Sequence, residues 1–257
     1  VGSEGSMKNV VLLDGDIALW RAVLAAGSTV DWGDGDVVQS VNIPKAITHF
    51  RGTLNTLRER FKTRDVRVAF GDRHANWRKE LDPTYKANRR AVPKPLGFSE
   101  LEQEIIAKCN VAREPRLEGD DVLGLLATHA PDDERRIICS IDKDMLTVPG
   151  WHYNFDTGVE REVSEESAQL AHYTLTLTGD RTDNFPGCPG VGPKRAAKIL
   201  AMGPSWEAVR LAFVGAGIDY HGAVHQARLA FVLRRGYYSR AEGLVKLWAP
   251  PAVEAAA

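Results

Sequence analysis

The stretch "NVVLLDGD", Asn9–Asp16, decides the fold. Its apolar run, Val10 to Leu13, has no polar face, so a strand made of it must be covered on both sides, as in the interior of a parallel sheet flanked by helices. The run stops at an acid. Two later stretches are built alike: "VRVAFGD" runs into Asp72, and "RIICSIDKD" runs into Asp142 and Asp144. Residues just past the carboxyl ends of strands in an open α/β sheet face a common crevice, so strands ending this way bring their carboxylates together.

Helical patterns alternate with these runs. "PKAITHFRGTLNTLRERF" places Ile47, Phe50, Leu54, Leu57 and Phe61 at steps of three and four, and "DDVLGLLATHA" places Val122, Leu125 and Leu126 on one face. The alternation predicts an α/β domain with a mainly parallel sheet over residues 7–172. From Tyr173 onward strand character fades, and helical segments near 173–179, 193–202, 204–214 and 222–236 predict a small helical domain over 173–250, followed by a tail, 251–257. "VGSEGS", residues 1–6, reads as a cloning remnant, and "GSTVDWGDGDVVQSV", Gly27–Val41, as a loop or an exposed hairpin.

With 33 basic and 34 acidic residues the net charge is −1, so attraction to a polyanion has to come from local clusters. The three cysteines show no CxxC spacing, which argues against a disulfide framework or a zinc knuckle and fits a reducing cytoplasm. His221 and His225 in "HGAVH" lack the glutamate of a zinc-protease helix and read as surface histidines. No apolar run is long enough to span a membrane, and no signal peptide is evident, so a soluble cytoplasmic protein with no membrane partner is expected.

The acids that matter are Asp14, Asp72, Glu118, Asp120, Asp121, Asp142, Asp144, Asp180 and Asp183. Any one of them serves equally well as a turn former or a helix cap. Together they would repel, and a divalent cation is the usual remedy: Mg²⁺ and Mn²⁺ favour oxygen ligands and complete their shells with water and substrate phosphate. A set this large can hold two such ions about 3.5–4 Å apart, the spacing used for in-line hydrolysis of a phosphodiester.

Bases lie close by in the sequence. In "NWRKELDPTYKANRRAVPKP", Asn76–Pro95, Asp82 and Pro83 predict a helix start, and the helix puts Lys86, Arg89 and Arg90 on one face beside Tyr85 until Pro93 ends it. Arginine forks grip phosphate and a tyrosine ring can stack on a base. In "LTGDRTDNFPGCPGVGPKRAAKIL", Asp180 and Asp183 add to the acids, and a hairpin then feeds a helix whose free N–H groups favour phosphate. Lys194 and Lys198 would be exposed there, with Ala197, Ile199 and Leu200 packing inward. Such a surface holds DNA by its backbone, without regard to sequence.

"LLDGD", "FGD" followed by "WRKELDPTYKANR", "LEGDDVLGLLA", "SIDKD" and "LTGDRTDNFPGCPGVGPKRAAKIL" resemble, in order and spacing, the 5′-nuclease (flap endonuclease) superfamily, most of all the stand-alone 5′→3′ exonucleases of short-tailed bacteriophages. The resemblance implies a PIN-like sheet flanked by helices, a helical arch at about 76–100, and a helix–three-turn–helix element in the helical domain. It implies a metal-dependent 5′→3′ exonuclease or structure-specific 5′ flap endonuclease that uses two Mg²⁺ or Mn²⁺ ions and serves phage DNA replication, RNA primer removal or host DNA degradation.

Carried over by motif, Asp14, Asp72, Glu118 and Asp120 serve the first metal, and Asp142, Asp144, Asp180 and Asp183 the second, with Asp120 or Asp121 between them. Lys86 and Arg89 engage the scissile phosphate, Tyr85 stacks, and Arg78 contacts a neighbouring phosphate. Carbonyls of Gly190–Gly192 can hold K⁺. The implied partners are double-stranded DNA with 5′ ends, flaps or gaps and RNA–DNA hybrids, bound by a monomer. Two other readings stand beside this one: a non-catalytic binder of DNA structure, and a phosphatase of the haloacid-dehalogenase type. The phosphatase expects Thr or Val where this chain has Ala18.

Overall fold

A computed structural model describes residues 7–31, 37–89 and 93–251. The first strand, β1 (Lys8–Asp14), runs straight into α1 (Gly15–Ala26). A hairpin of β2 (Gly27–Asp31) and β3 (Val37–Val41) leads to α2 (Ile43–Phe61) and β4 (Val66–Ala69). A short α3 (Trp77–Leu81), α4 (Phe98–Lys108), β5 (Asn110–Ala112), α5 (Gly119–Thr128) and β6 (Glu134–Cys139) follow. A 3₁₀ turn at Lys143–Thr147 precedes β7 (Gly150–Tyr153) and β8 (Glu160–Val163). The remainder is α6 (Glu165–Thr178), α7 (Pro193–Ile199), α8 (Trp206–Gly215), α9 (Tyr220–Ala230) and a two-residue ribbon, β9 (Tyr238–Ser239) with β10 (Leu244–Val245).

The main sheet has the order β5-β4-β1-β6-β7-β8 and is parallel except for β8. β1 lies in its interior, with Val11 opposite Val66 of β4 on one side and Ile137 of β6 on the other. Both faces of β1 are covered, as its unbroken apolar run requires. Val11 and Leu13 point into a core shared with α1, α2 and α4, while Val10 and Leu12 point into a second core shared with α5 and the later helices. The chain leaves β1 toward β4 and later returns to β6 on the opposite side. That reversal opens a crevice at the carboxyl ends of β1 and β6, where open α/β sheets bind ligands.

Glycine between the two acids of "DGD" has a packing reason. A Cβ on Gly15 would sit 2.5 Å from the Ala69 carbonyl, so only glycine lets α1 begin against β4 immediately after Asp14.

Several sequence expectations are corrected. The helix expected from Asp82 through Arg89 is a chain of turns: Tyr85 N bonds Asp82 O, Ala87 N bonds Thr84 O, and Lys86 takes a left-handed φ of 56°. Asp82 does not cap a helix there; its carboxylate accepts from Thr84 and from His225 Nε2 at 2.8 Å, so His225 is a structural tether, not a plain surface residue. No helix is found among the described residues between Asp82 and Gly97, and Arg90 lies outside them. On α5 it is Leu123 that is fully buried with Val122, while Leu125 and Leu126 are half-buried. On α7, Ala196 packs inward with Leu200, and Ala197 is exposed. The division expected near 172 falls inside α6, and the second core runs across it, from Val10 and Leu12 to Tyr173, Phe213 and Phe231. Gly27–Val41 forms the antiparallel pair β2/β3, with residues 32–36 outside the described part.

Candidate active site

A cavity of about 700 Å³ opens at the carboxyl ends of β1, β4 and β6, and every expected acid except Asp121 lines it. Asp14, at the tip of β1, is 2% exposed. Its Oδ1 caps α1 at the Ile17 amide, 3.1 Å away, and its Oδ2 accepts from the Ser140 hydroxyl at 2.8 Å, a bond that spans the crevice to the end of β6. Two residues on, Asp142 accepts from the Asp144 amide at 2.8 Å and starts the 3₁₀ turn that carries Asp144. Asp72 lies in the loop beyond β4 and accepts from the His74 and Arg116 amides.

The helical half supplies Asp180 and Asp183 on a loop after α6. Asp180 Oδ1 accepts from the Thr182 and Asp183 amides. The loop is pinned by Gly179 and Gly187, both at φ 66°, whose backbones approach so closely that a Cβ on Gly187 would lie 2.3 Å from Gly179 N.

Charge is unevenly balanced across the cavity. Desolvation by burial, reinforced by Asp16 and Asp142, raises Asp14 to about 7 despite its hydrogen bonds. Burial raises Asp120 well above the usual carboxylate range, with Asp14, Asp142 and Glu118 adding to the effect. Burial and then Asp142 and Asp180 raise Asp144 to about 7. Glu118 is the reverse case: burial opposes its charge, but Lys86 and Arg78 overcome that and hold it down at about 2. Lys86 Nζ pairs with Glu118 Oε1 and lies 3.5 Å from Asp183 Oδ2, and Arg89 reaches Asp183 Oδ1 at 2.5 Å.

Among the described residues, no three acidic, thiol or imidazole side chains close around a single point as a finished ion site would. Several of the acids accept from Lys86, Arg89 and backbone amides. Asp14, Asp120 and Asp144 accept no hydrogen bond from a basic side chain among the described residues. They form an oxygen-only, under-neutralised group, which fits a hard divalent cation.

Three expected site residues have other work. Arg78 is 3% exposed and spends its donors on Glu118, Asp121 and backbone carbonyls, so it is not a phosphate contact. Asp121 is fully buried, paired with Arg78 at 2.7 and 2.8 Å and accepting from Trp77 Nε1 and Leu233 N, so it is not a metal ligand. Tyr85 is 2% exposed; its hydroxyl donates to Asp183 at 2.7 Å and lies 3.0 Å from Glu118, and its ring stacks on Phe185, so it offers no open face to a base. Breaking a buried ion pair strands a charge, so Asp121→Asn should lower stability by about 3 kcal/mol. It should also lower activity at saturating Mg²⁺, because Asp121 holds Arg78 and through it orients Glu118. Denaturant unfolding and a Mg²⁺ titration check both, and an unchanged midpoint with weakened metal response would restore Asp121 to the ligand set.

Sequence reasoning missed Asp16, Trp20 and Ser140. Asp16 lines the cavity, accepts from the Gly71 amide at 2.9 Å and pairs with Arg73. Trp20, one helical turn further along α1, is 37% exposed and lines the same cavity, packed against Phe98. The signal was present in "DGDIALW": once Asp14 ends a strand, Asp16 and Trp20 share a face of the following helix. Lys194, Lys198, Gly190 and Gly192 lie elsewhere, exposed on and before α7.

Residues 9–167 match the family profile described as 5′-3′ exonuclease, N-terminal resolvase-like domain. The exonuclease of Escherichia phage T7 is 29% identical, covering 95% of this chain and 94% of its own. The exodeoxyribonuclease of Enterobacteria phage T3 is 28% identical over 95% and 93%. Among solved structures, the T5 5′-exonuclease with bound zinc superposes with a TM-score of 0.59 at 17% identity, covering 87% of this chain and 89% of that one. The catalytic core of Rad2 in complex with DNA substrate superposes with a TM-score of 0.54 at 14% identity, over 98% and 86%. These two share the PIN-like α/β fold expected from the motifs. More than half of the sequence lies within the matching profile, and the chain belongs to the 5′-3′ exonuclease family.

Proposed function

We propose that this chain hydrolyses phosphodiesters from the 5′ end of duplex DNA, or at 5′ flaps, in the cavity at the ends of β1, β4 and β6. The observation that carries the reading is the under-neutralised set Asp14, Asp120 and Asp144 facing Lys86 and Arg89 across one cavity. Asp14, Asp72, Glu118 and Asp120 would hold one divalent ion, and Asp142, Asp144, Asp180 and Asp183 another. When bound, these ions polarise the scissile phosphate and lower the pKa of a bound water.

The chain's own residues align the strand. Lys86 and Arg89, now resting on Glu118 and Asp183, can pass to a phosphate without leaving the cavity, since that phosphate replaces one anionic partner with another. Trp20 supplies the exposed ring against which a terminal base can stack. Asp16 holds α1 to the Gly71 loop and keeps the acidic wall in place.

Lys194 and Lys198, exposed on α7, would grip the duplex by its phosphates. Lys194→Ala should therefore weaken duplex binding and reduce the log–log salt slope by about one, leaving the turnover rate nearly unchanged. An unaltered slope would remove α7 from the DNA surface. K⁺ at Gly190–Gly192 belongs to the same proposal and has a competitor, since Arg195 Nη1 donates to Gly190 O at 3.4 Å. Action as a cytoplasmic monomer and cleavage of RNA–DNA hybrids are further parts of it, measurable by scattering and by hybrid substrates.

The deciding experiment incubates the protein with 5′-labelled duplex, a 5′ flap substrate and p-nitrophenyl phosphate, each with Mg²⁺ or EDTA. Short 5′ products from DNA in Mg²⁺ alone are expected. Hydrolysis of the small ester alone would favour the phosphatase, and tight DNA binding without cleavage the non-catalytic reading.

A further inference from the structure

We propose that Arg78 is a positioning residue for the nuclease reaction: it ties the Glu118 carboxylate to the carboxyl end of α9, so that this acid is aligned only when the helical half of the chain is seated. The proposal rests on the nuclease reading of the cavity. From α3, Arg78 reaches two parts of the fold, the start of α5 and the end of α9. Nη1 donates to Glu118 Oε2 at 2.9 Å and to Asp121 Oδ2 at 2.7 Å. Nη2 donates to Asp121 Oδ1 at 2.8 Å and to the Phe231 carbonyl at 2.7 Å, and Nε to the Leu229 carbonyl at 3.0 Å.

A guanidinium carries five N–H bonds, and these partners use all of them. Asp121 completes the tie by accepting from the Leu233 amide at 3.0 Å. The last carbonyls of a helix lack partners within it, and here the end of α9 is buried, so Arg78 satisfies groups that water cannot reach. Glu118 is therefore held differently at its two oxygens. Oε1 faces Lys86, which moves to substrate in the proposed reaction, whereas Oε2 faces Arg78, which has nowhere else to go. Lysine cannot replace it, because one ammonium lacks the planar fork that meets carboxylate and carbonyls together.

The test compares wild type with Arg78→Lys and with Asp121→Glu, which keeps the ion pair but displaces the guanidinium by a methylene. Three measurements are made: steady-state cleavage of 5′-labelled duplex in Mg²⁺, duplex binding in EDTA across a salt series, and amide exchange of residues 229–233. Both variants should lose about 10- to 100-fold in kcat, keep KM and the salt slope, and lose exchange protection at 229–233. A raised KM with a salt slope flattened by about one would make Arg78 a phosphate contact and overturn the proposal. So would wild-type kcat in either folded variant. If wild type itself fails to cleave DNA, the nuclease reading falls, while unchanged protection of 229–233 in the variants would refute the tie independently.

Discussion

Asp142→Asn should fold normally and lose DNA hydrolysis by on the order of 10³-fold. Asparagine caps helix starts about as well as aspartate, so the bond from the Asp144 amide to position 142 survives the change and the 3₁₀ turn stays in place. What disappears is one negative charge at the centre of the acidic set, where Asp142 acts on Asp14, Asp120 and Asp144 together. With less charge to neutralise, that set has less affinity for divalent cations. Duplex binding in EDTA should tighten or stay the same, because a repelling charge has left an anion's path. Product release from 5′-labelled duplex over a Mg²⁺ titration is the measurement. Activity within about tenfold of wild type would exclude Asp142 from the reaction, because electrostatic groups at a reacting phosphate are worth more than that.

Lys86→Ala should slow cleavage by about 10²-fold while changing metal-free duplex affinity little. Lys86 is partly buried, in a left-handed turn, with its ammonium on Glu118 and near Asp183, so it faces the cavity and not the open surface that first meets DNA. Its removal leaves Glu118 with Arg78 and Tyr85 and takes away a cation placed for the scissile phosphate. Single-turnover rates and anisotropy in EDTA separate the two effects. A large loss of binding with an unaltered rate would place Lys86 on the duplex track instead. Lys194→Ala, with the opposite expected pattern, is the internal control.

The central architecture was readable because burial on both faces leaves a mark on every residue of a strand. "NVVLLD" could only be an interior strand, and its neighbours ending in acids could only converge at one edge of a parallel sheet. Eight of the nine expected acids line one cavity, and four of them, Asp14, Asp72, Asp142 and Asp144, end or follow the strands β1, β4 and β6. The stretch around Lys86 misled for a local reason. Helical spacing of its bases was real, but Asp82 prefers His225 and Thr84, and Lys86 N bonds Asp183 O across the cavity, so tertiary partners replace the helix with turns.

By itself the sequence determined the parallel sheet, the edge where chemistry gathers and the kind of ion that edge invites, since these follow from hydrophobic period and charge along the chain. Only the tertiary structure decided which charged groups are sequestered. Asp120 and Asp121 are adjacent, yet one faces the cavity and the other is locked under Arg78, because successive positions on a helix point about 100° apart and only packing against α9 selects which direction is buried. The same selection removed Tyr85 from the stacking role and left Trp20 in the open.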